Sequence, residues 1–458
     1  MNAFSLLRRE IREYIYDEGW DALRKIQEAS IKQAHNTENN LVLAAPTASG
    51  KTEAAFLPAI NQVKDWESGV KIVYVSPLIA LINDQFSRIF DLCQYMDIPV
   101  TAWHGEASTT QKKNLLKDPK GILLITPESL EAMLALNPQN AQKLFGKTEW
   151  IIVDEVHSFL ENNRGVQLSS LLERIKNYMD QDPRYIGMSA TLNRADYDIV
   201  KDFFRSDRDT NVLLDNTKNE FVVTKSFYPE NMQHESKEAF EEIYQHSLEE
   251  SMLVFPNTRA MVETLSVGLT RIAKKHNAHT RYFAHHASVS KEMRLTAENF
   301  AKNARFEKFT IFCTSTLELG IDIGAVDSVV QYNAPHSVAS LSQRLGRSGR
   351  KERKNILHFI ATQEWPLLQG LATISLYEES AIDRIDSIKK PYDVLAQQIL
   401  SMILENFGME KESVLTLNKT YKSWKMFSDE ELESLLEYML EFEFLEDLEG
   451  ELIAGKEA

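Results

Sequence analysis

Five short apolar runs end, each one, at a polar or small residue, and helix-patterned segments separate them. The runs are LVLA at 41–44, IVYV at 72–75, ILLI at 122–125, IIV at 151–153 and YIGM at 185–188. Runs that are apolar on both faces and joined by helices predict a buried parallel sheet with crossover connections. Such a sheet places its ligands beyond the carboxyl ends of its strands. The candidate chemistry begins there after each of these runs.

The alternation restarts after a polar stretch at 205–220, read as a linker. The later runs are MLVF at 252–255, TIFC at 310–313, VVQY at 329–332 and ILHFI at 356–360, which predict a second α/β domain. Beyond about residue 375 the strand pattern thins. Segment 391–407 reads as a helix, with Pro391 in its first turn and Gly408 after its end. Ser428 to Glu431 form a capping box, and Leu432, Leu435, Leu436, Met439 and Leu440 share one helical face. Segment 444–453, with Glu449-Gly450 at its middle, reads as a hairpin. Helices followed by a hairpin predict a small winged-helix domain. The expected division is 1–214, 215–375 and 376–458.

The net charge of −16 is uneven: −11 of it lies in residues 429–458. The remaining chain is close to balanced, so an acidic total does not exclude a phosphate-backbone partner, whose contacts are local. No run of about 18 apolar residues predicts a membrane span. The two cysteines, Cys93 and Cys313, lie in apolar surroundings and read as buried thiols. A cytoplasmic setting is expected.

The loop APTASGKT at 45–52 follows a strand and precedes a helix pattern. It fits G-x-x-x-x-G-K-[ST], with Ala45 in the first glycine's place. Backbone N–H groups around Ala48 to Lys51, Ser49 and Gly50 among them, can wrap phosphates, and Thr47 belongs to the same nucleotide-binding loop. Lys51 neutralises the β- and γ-phosphates, and Thr52 offers its hydroxyl to Mg²⁺. Asp154 follows the run 151–153, where its carboxylate can reach the shell of that Mg²⁺. Glu155 is placed to orient or deprotonate the attacking water. A solvated pair of acids at a strand end is the alternative. Gln27 can pair with an adenine edge through its amide; a surface glutamine is the other reading.

Arg344, Arg347 and Arg350 recur every third residue, with Gly346 and Gly349 between them. Guanidinium groups stabilise charge spread over a transferring phosphoryl group. They lie on the second α/β domain, which predicts an ATP site completed by domain closure. Gly320 and Asp322 can reach the ribose or a hinge, or form an ordinary turn.

Taken in order, these motifs resemble those of superfamily 2 nucleic-acid helicases, closest to the large helicase-related (Lhr) group. The segments are APTASGKT at 45–52, VSPLIALINDQ at 75–85, ITPESLEAML at 125–134, VDEVHSF at 153–159 and MSATL at 188–192. LVFPNTRAMVE at 253–263, FAHHASVSKEMR at 283–294, CTSTLELGIDIGAVDSVVQ at 313–331 and SVASLSQRLGRSGR at 337–350 complete them. The resemblance implies two tandem RecA-like domains. It implies arginine fingers at Arg347 and Arg350, and a γ-phosphate or water contact at Gln343. Ser189, Ala190 and Thr191 are implied to link hydrolysis to strand movement. Pro77, Thr126, Pro127 and Thr314 are implied to touch the nucleic-acid backbone, with 3′-to-5′ movement on single strands. The sequence departs from the family in two respects: Ala48 replaces the usual glycine, and the expectation is that a further domain of the family's core is missing after the hairpin, which a protein partner could supply.

Two functions follow from this reading. One is an ATP-driven 3′-to-5′ helicase or translocase on DNA, RNA or their hybrid. The other is an ATP-gated clamp or remodelling subunit of a larger complex that does not unwind by itself.

Overall fold

The computed structural model describes residues 2–46, 49–190, 192–215, 220–230, 236–304, 307–318, 323–324, 326–349, 354–385 and 390–458, with Ser87 described for its backbone alone. The chain divides into two units. The first takes Met1–Ala45, Gly50–Asp215 and Arg384–Ala458; the second takes Asn216–Asp383 together with Pro46–Ser49.

In the first unit the strands are β1 Asn40–Ala44, β2 Gly69–Val75, β3 Val100–Trp103, β4 Lys120–Ile125, β5 Trp150–Val153, β6 Arg184–Ser189 and β7 Thr210–Leu214. They form one sheet in the order β3-β4-β2-β5-β6-β1-β7. All of its pairings are parallel. Parallel neighbours need crossover connections, and these bring helices onto both faces. The side chains therefore alternate between two apolar layers. Leu41, Leu43, Ile72, Tyr74, Leu124 and Ile152 join Phe56 and Ile60 on one side. Val42, Val73, Leu123, Ile125 and Ile151 join Leu134 and Leu168 on the other.

The linker expected at 205–220 is corrected by β7, which pairs along the whole of β1. It is a half-buried edge strand: Val212 and Leu214 pack against one apolar layer and Leu213 against the other. Its polar flanks mask that pattern in the sequence. The other edge strand, β3, has the same half-buried character and was not predicted either.

The second unit repeats the design with β8 Phe221–Phe227, β9 Met252–Phe255, β10 Arg281–His285, β11 Phe309–Cys313, β12 Ser328–Tyr332 and β13 Asn355–Ala361. The order is β10-β11-β9-β12-β13-β8, again parallel throughout. The predicted runs are the inner strands; β8 and β10 are the edges.

In the C-terminal region a helix spans Tyr392–Asn406, with Pro391 at its N-cap and Phe407 left-handed at φ 61. Ser428 forms the predicted capping box with Glu431 ahead of the helix Asp429–Glu441. Strands β14 Met409–Glu410, β15 Leu445–Leu448 and β16 Glu451–Ala454 form an antiparallel sheet. Glu449 at φ 55 and Gly450 at φ 96 make its turn, the positive-φ pair that matches hairpin twist.

This region packs on the first sheet's helices. Arg174, 1% exposed, donates to Glu131 Oε1 at 2.9 Å, Gln398 Oε1 at 2.9 Å, Ser401 Oγ at 2.9 Å and Glu405 Oε2 at 2.6 Å. The Tyr178 hydroxyl donates to Glu405 Oε1 at 2.7 Å, and Glu173 accepts from the backbone N–H groups of Lys422 and Ser423, both at 2.8 Å.

Candidate functional site

The carboxyl edge of the first sheet assembles the predicted residues in strand order. Strand β6 lies between β5 and β1, so the segments leaving β5 and β1 stand about two strand spacings, roughly 10 Å, apart. Both are tied to β6. Ala45 N–H donates to Ser189 O at 3.1 Å, and Val156 N–H donates to Met188 O at 2.8 Å.

The loop after β1 ends at Gly50, the N-cap of the helix Lys51–Gln62, with φ 83. A side chain there is strained by the left-handed φ, and its Cβ, 2.5 Å from Gln27 Nε2, would push the Gln27 amide aside. Ser49 closes a turn onto the Pro46 carbonyl at 3.3 Å. Lys51 Nζ donates to Ala45 O at 2.6 Å, and Thr52 is buried at the start of the helix. Free N–H groups at a helix start form a natural anion site. Gln27 sits beside this loop. Its amide N–H donates to Gly50 O at 3.4 Å, and its Oε1 accepts from Arg24 N–H at 2.9 Å. Thr47 and Ala48 lie outside the described residues, as do Thr191, Gly320, Asp322 and Arg350.

Asp154 and Glu155 follow β5, both buried. The Tyr74 hydroxyl donates to Asp154 Oδ2, and Glu155 N–H donates to Asp154 Oδ1 at 2.9 Å. Glu155 has φ 46, an uncommon conformation for a side-chain-bearing residue. Burial, and next the Glu155 charge, push Asp154 up to about 7; the Tyr74 hydrogen bond and the Lys51 charge oppose this. His157 is pushed down to about 4, first by burial and then by Lys51. It is therefore neutral near pH 7 and hydrogen-bonds Ser189 Oγ through Nδ1 at 3.1 Å. That bond joins the acidic motif to the last residue of β6.

Two crowded buried carboxylates beside a helix-start hydroxyl fit a hard divalent cation. Asp154 and Thr52 are the oxygens that could hold such an ion, and a cation there would relieve the like-charge crowding.

Further along the same edge, β2 leads to Pro77 and β4 to Thr126 and Pro127. Pro77 O accepts from Arg164 Nη2 at 2.6 Å. Thr126 caps the helix Pro127–Leu136, accepting from Ser129 N–H at 3.3 Å. Adjacent β2 and β4 thus hold these three residues together, away from β1.

In the second unit, Thr314 follows β11 and is half-buried. Gln343 lies in the helix Val338–Leu345, and Arg347 follows that helix; both are buried. Arg347 Nη2 donates to Glu318 O at 2.6 Å. Arg344 has a different environment. It is buried against the Glu318 carboxylate through Nε at 2.7 Å, donates to Gln331 Oε1 at 2.6 Å and lies over the Phe255 ring at 5.0 Å. The triplet spacing thus places two buried arginines on Glu318, Arg344 on its carboxylate and Arg347 on its backbone carbonyl. Sequence reasoning missed Glu318, which holds both, and Tyr74, which holds Asp154. No local pattern marks either, because their partners come from other elements.

Residues 24–199 match the DEAD/DEAH box helicase family and residues 235–352 the helicase conserved C-terminal domain. The chain is 30% identical to the ATP-dependent helicase Lhr-Core of Methanocaldococcus jannaschii, across 95% of this chain and 53% of that protein. It is also similar to the solved Mycobacterium smegmatis helicase Lhr bound to ssDNA and AMP-PNP. That match has a TM-score of 0.84 at 27% identity and covers 100% of this chain and 61% of that one. The chain belongs to the Lhr-like superfamily 2 helicases. It spans about half the length of the curated Lhr-Core relatives it matches. A second solved structure, the DUF1998 helicase MrfA bound to DNA and AMPPNP, shares the fold at 20% identity and a TM-score of 0.78. No helix among the described residues is long and apolar enough to cross a membrane.

Proposed function

We propose that this chain is an ATP-dependent helicase or translocase that moves 3′ to 5′ on single-stranded DNA or RNA. One observation carries the reading: Lys51, Thr52, Asp154 and Glu155 emerge on one sheet edge, with the loop and the carboxylates both tied to β6. Backbone N–H groups at the start of the helix Lys51–Gln62 bind the phosphates, and Lys51 exchanges its Ala45 contact for phosphate oxygens. Gln27 reads the adenine edge. Glu155 accepts the proton of the attacking water. Thr52 and Asp154 hold Mg²⁺, which when bound supplies charge neutralisation on the β- and γ-phosphates.

Gln343, Arg347 and Arg350 are assigned to the developing charge on the transferred phosphoryl group, with Gly320 and Asp322 at the ribose or hinge. These roles require the two units to close on one nucleotide. Ser189, Ala190 and Thr191 pass the state of the acidic motif to the strand-binding residues, and the His157–Ser189 bond supports that route. Pro77, Thr126, Pro127 and Thr314 bind the nucleic-acid backbone through hydroxyls and backbone groups, without reading bases. The C-terminal region is assigned as a winged-helix domain at 376–458, and the setting as cytoplasmic. The Lhr relative solved with ssDNA and AMP-PNP supports both ligands.

The test is ATP-driven strand displacement on matched duplexes carrying a 3′ or a 5′ single-stranded tail. Displacement only from the 3′-tailed substrate is expected. ATP turnover without displacement on either would move the assignment to the clamp reading.

A further inference from the structure

Helix Lys237–Glu249 of the second unit ends beside β13, and three side chains meet there: His246, Glu250 and His358. One ligand atom of each lies within 4.8 Å of the others, the one such group among the described residues. His358 Nε2 is 3.0 Å from Glu250 Oε2, and His246 Nδ1 is 4.0 Å from Glu250 Oε1. Each histidine thus turns one nitrogen toward the same carboxylate.

Their other nitrogens each face an oxygen. His358 Nδ1 is 2.8 Å from Thr224 Oγ1, and His246 Nε2 is 3.8 Å from Glu242 Oε1. The Ser328 hydroxyl donates to Glu250 Oε2 and fixes the carboxylate. Metal-bound histidines characteristically donate their second N–H to a carboxylate or another oxygen, which sets the tautomer and frees the first nitrogen. His358 has that outer partner in Thr224, and His246 has the Glu242 carboxylate 3.8 Å away, within reach once the ring turns.

We propose that His246, Glu250 and His358 bind one divalent transition-metal ion, with Zn²⁺ the best match. On a tetrahedral zinc with bonds near 2.0–2.2 Å, neighbouring ligand atoms stand about 3.3–3.5 Å apart. His358 Nε2 stands 3.0 Å from one Glu250 oxygen and His246 Nδ1 4.0 Å from the other, so His246 must draw in to complete such a set. Two imidazoles and one carboxylate suit zinc, whereas Mg²⁺ and Ca²⁺ take oxygen sets. The rings are stacked, with centroids 3.7 Å apart and planes at 27°, so binding requires the His246 ring to turn. That ring has room, with its side chain 27% exposed against 4% for His358. The exposed side also admits the ion and leaves a fourth position for water. A bound ion would fasten the end of the helix to β13 and, through Thr224, to the edge strand β8.

The test is titration of the metal-free full-length chain with Zn²⁺ alone, by calorimetry, and with Co²⁺ by visible absorption. One equivalent is expected to bind, with the absorption of a tetrahedral nitrogen–oxygen site and a rise in Tm on saturation. His246→Ala and Glu250→Gln, both at half-exposed positions, should each lose this binding while circular dichroism stays unchanged. Thr224→Val should weaken it about 10- to 100-fold. Absence of saturable binding to the unsubstituted chain leaves the trio as ion pairs and overturns the proposal. So does one-equivalent binding that survives both His246→Ala and Glu250→Gln.

Discussion

Arg174→Met removes the one cation from a buried junction that holds the C-terminal region to the first sheet. The wild-type guanidinium is 1% exposed and serves Glu131 and Glu405, whose side chains are 11% and 5% exposed. Methionine fills the volume but leaves two buried carboxylates facing each other. Removing one partner of a buried pair costs about 3–5 kcal/mol, because the remaining charge is uncompensated. If that cost falls on undocking of the region, its opened population rises roughly a hundredfold or more. Limited proteolysis and hydrogen exchange across 384–458 read the opening directly, and urea denaturation reads the first transition. Adding Glu131→Gln and Glu405→Gln should restore much of the loss, since charge-free burial is tolerated. The pH dependence has a defined sign. Burial pushes Glu131 up, but the Arg174 charge, with hydrogen bonds from Ser401, Gln167 and Arg174, holds it below its ordinary 4.5. A depressed carboxylate contributes stability above its unfolded pKa and loses it as pH falls through the folded value. Docking should therefore weaken below about pH 4.5 in the wild type, and less so in the triple variant. An Arg174→Met chain within about 0.5 kcal/mol of wild type, with unchanged proteolysis, would refute the reasoning.

Other outcomes follow from single contacts. Tyr74→Phe, which removes the donor to Asp154, should lower kcat/KM for ATP roughly 10- to 100-fold, the size of one buried hydrogen bond to a charged group, with secondary structure intact. Gly50→Ala places a Cβ against Gln27 in a left-handed position and should weaken ATP binding, measured by a fluorescent nucleotide, with a strain of about 1–3 kcal/mol. Arg344→Met should destabilise the second unit by about 3–5 kcal/mol in thermal or urea melts. Arg347→Ala should abolish turnover; because Arg347 is itself buried and bonded to Glu318 O, a thermal melt run beside the ATPase assay separates lost chemistry from lost packing.

The inner strands and the placement of the motif residues at the carboxyl edge were legible because both rest on local pattern. A strand buried on two faces is an apolar run, and a phosphate loop is a contiguous string. The capping box at Ser428 and the turn at Glu449-Gly450 were legible for the same reason. Edge strands β3, β7, β8 and β10 were not, since a half-buried edge mixes polar residues with apolar ones and resembles a loop. Contacts between distant segments were also hidden. Tyr74 reaches Asp154 across 80 residues, and Arg174 reaches Glu405 across 231. The His246, Glu250 and His358 trio joins a helix end to a strand more than a hundred residues later. Periodicity carries no trace of such pairs; only the sheet order and the crossover geometry create them.

The most direct test of the central claim is the steady-state ATPase rate of the full chain with and without single-stranded oligonucleotide, in wild type and Glu155→Gln. Many-fold stimulation is expected in the wild type, and Glu155→Gln should bind ATP yet show no turnover under either condition. A wild-type rate indifferent to nucleic acid, or a Glu155→Gln chain that still hydrolyses ATP at the wild-type rate, would contradict it.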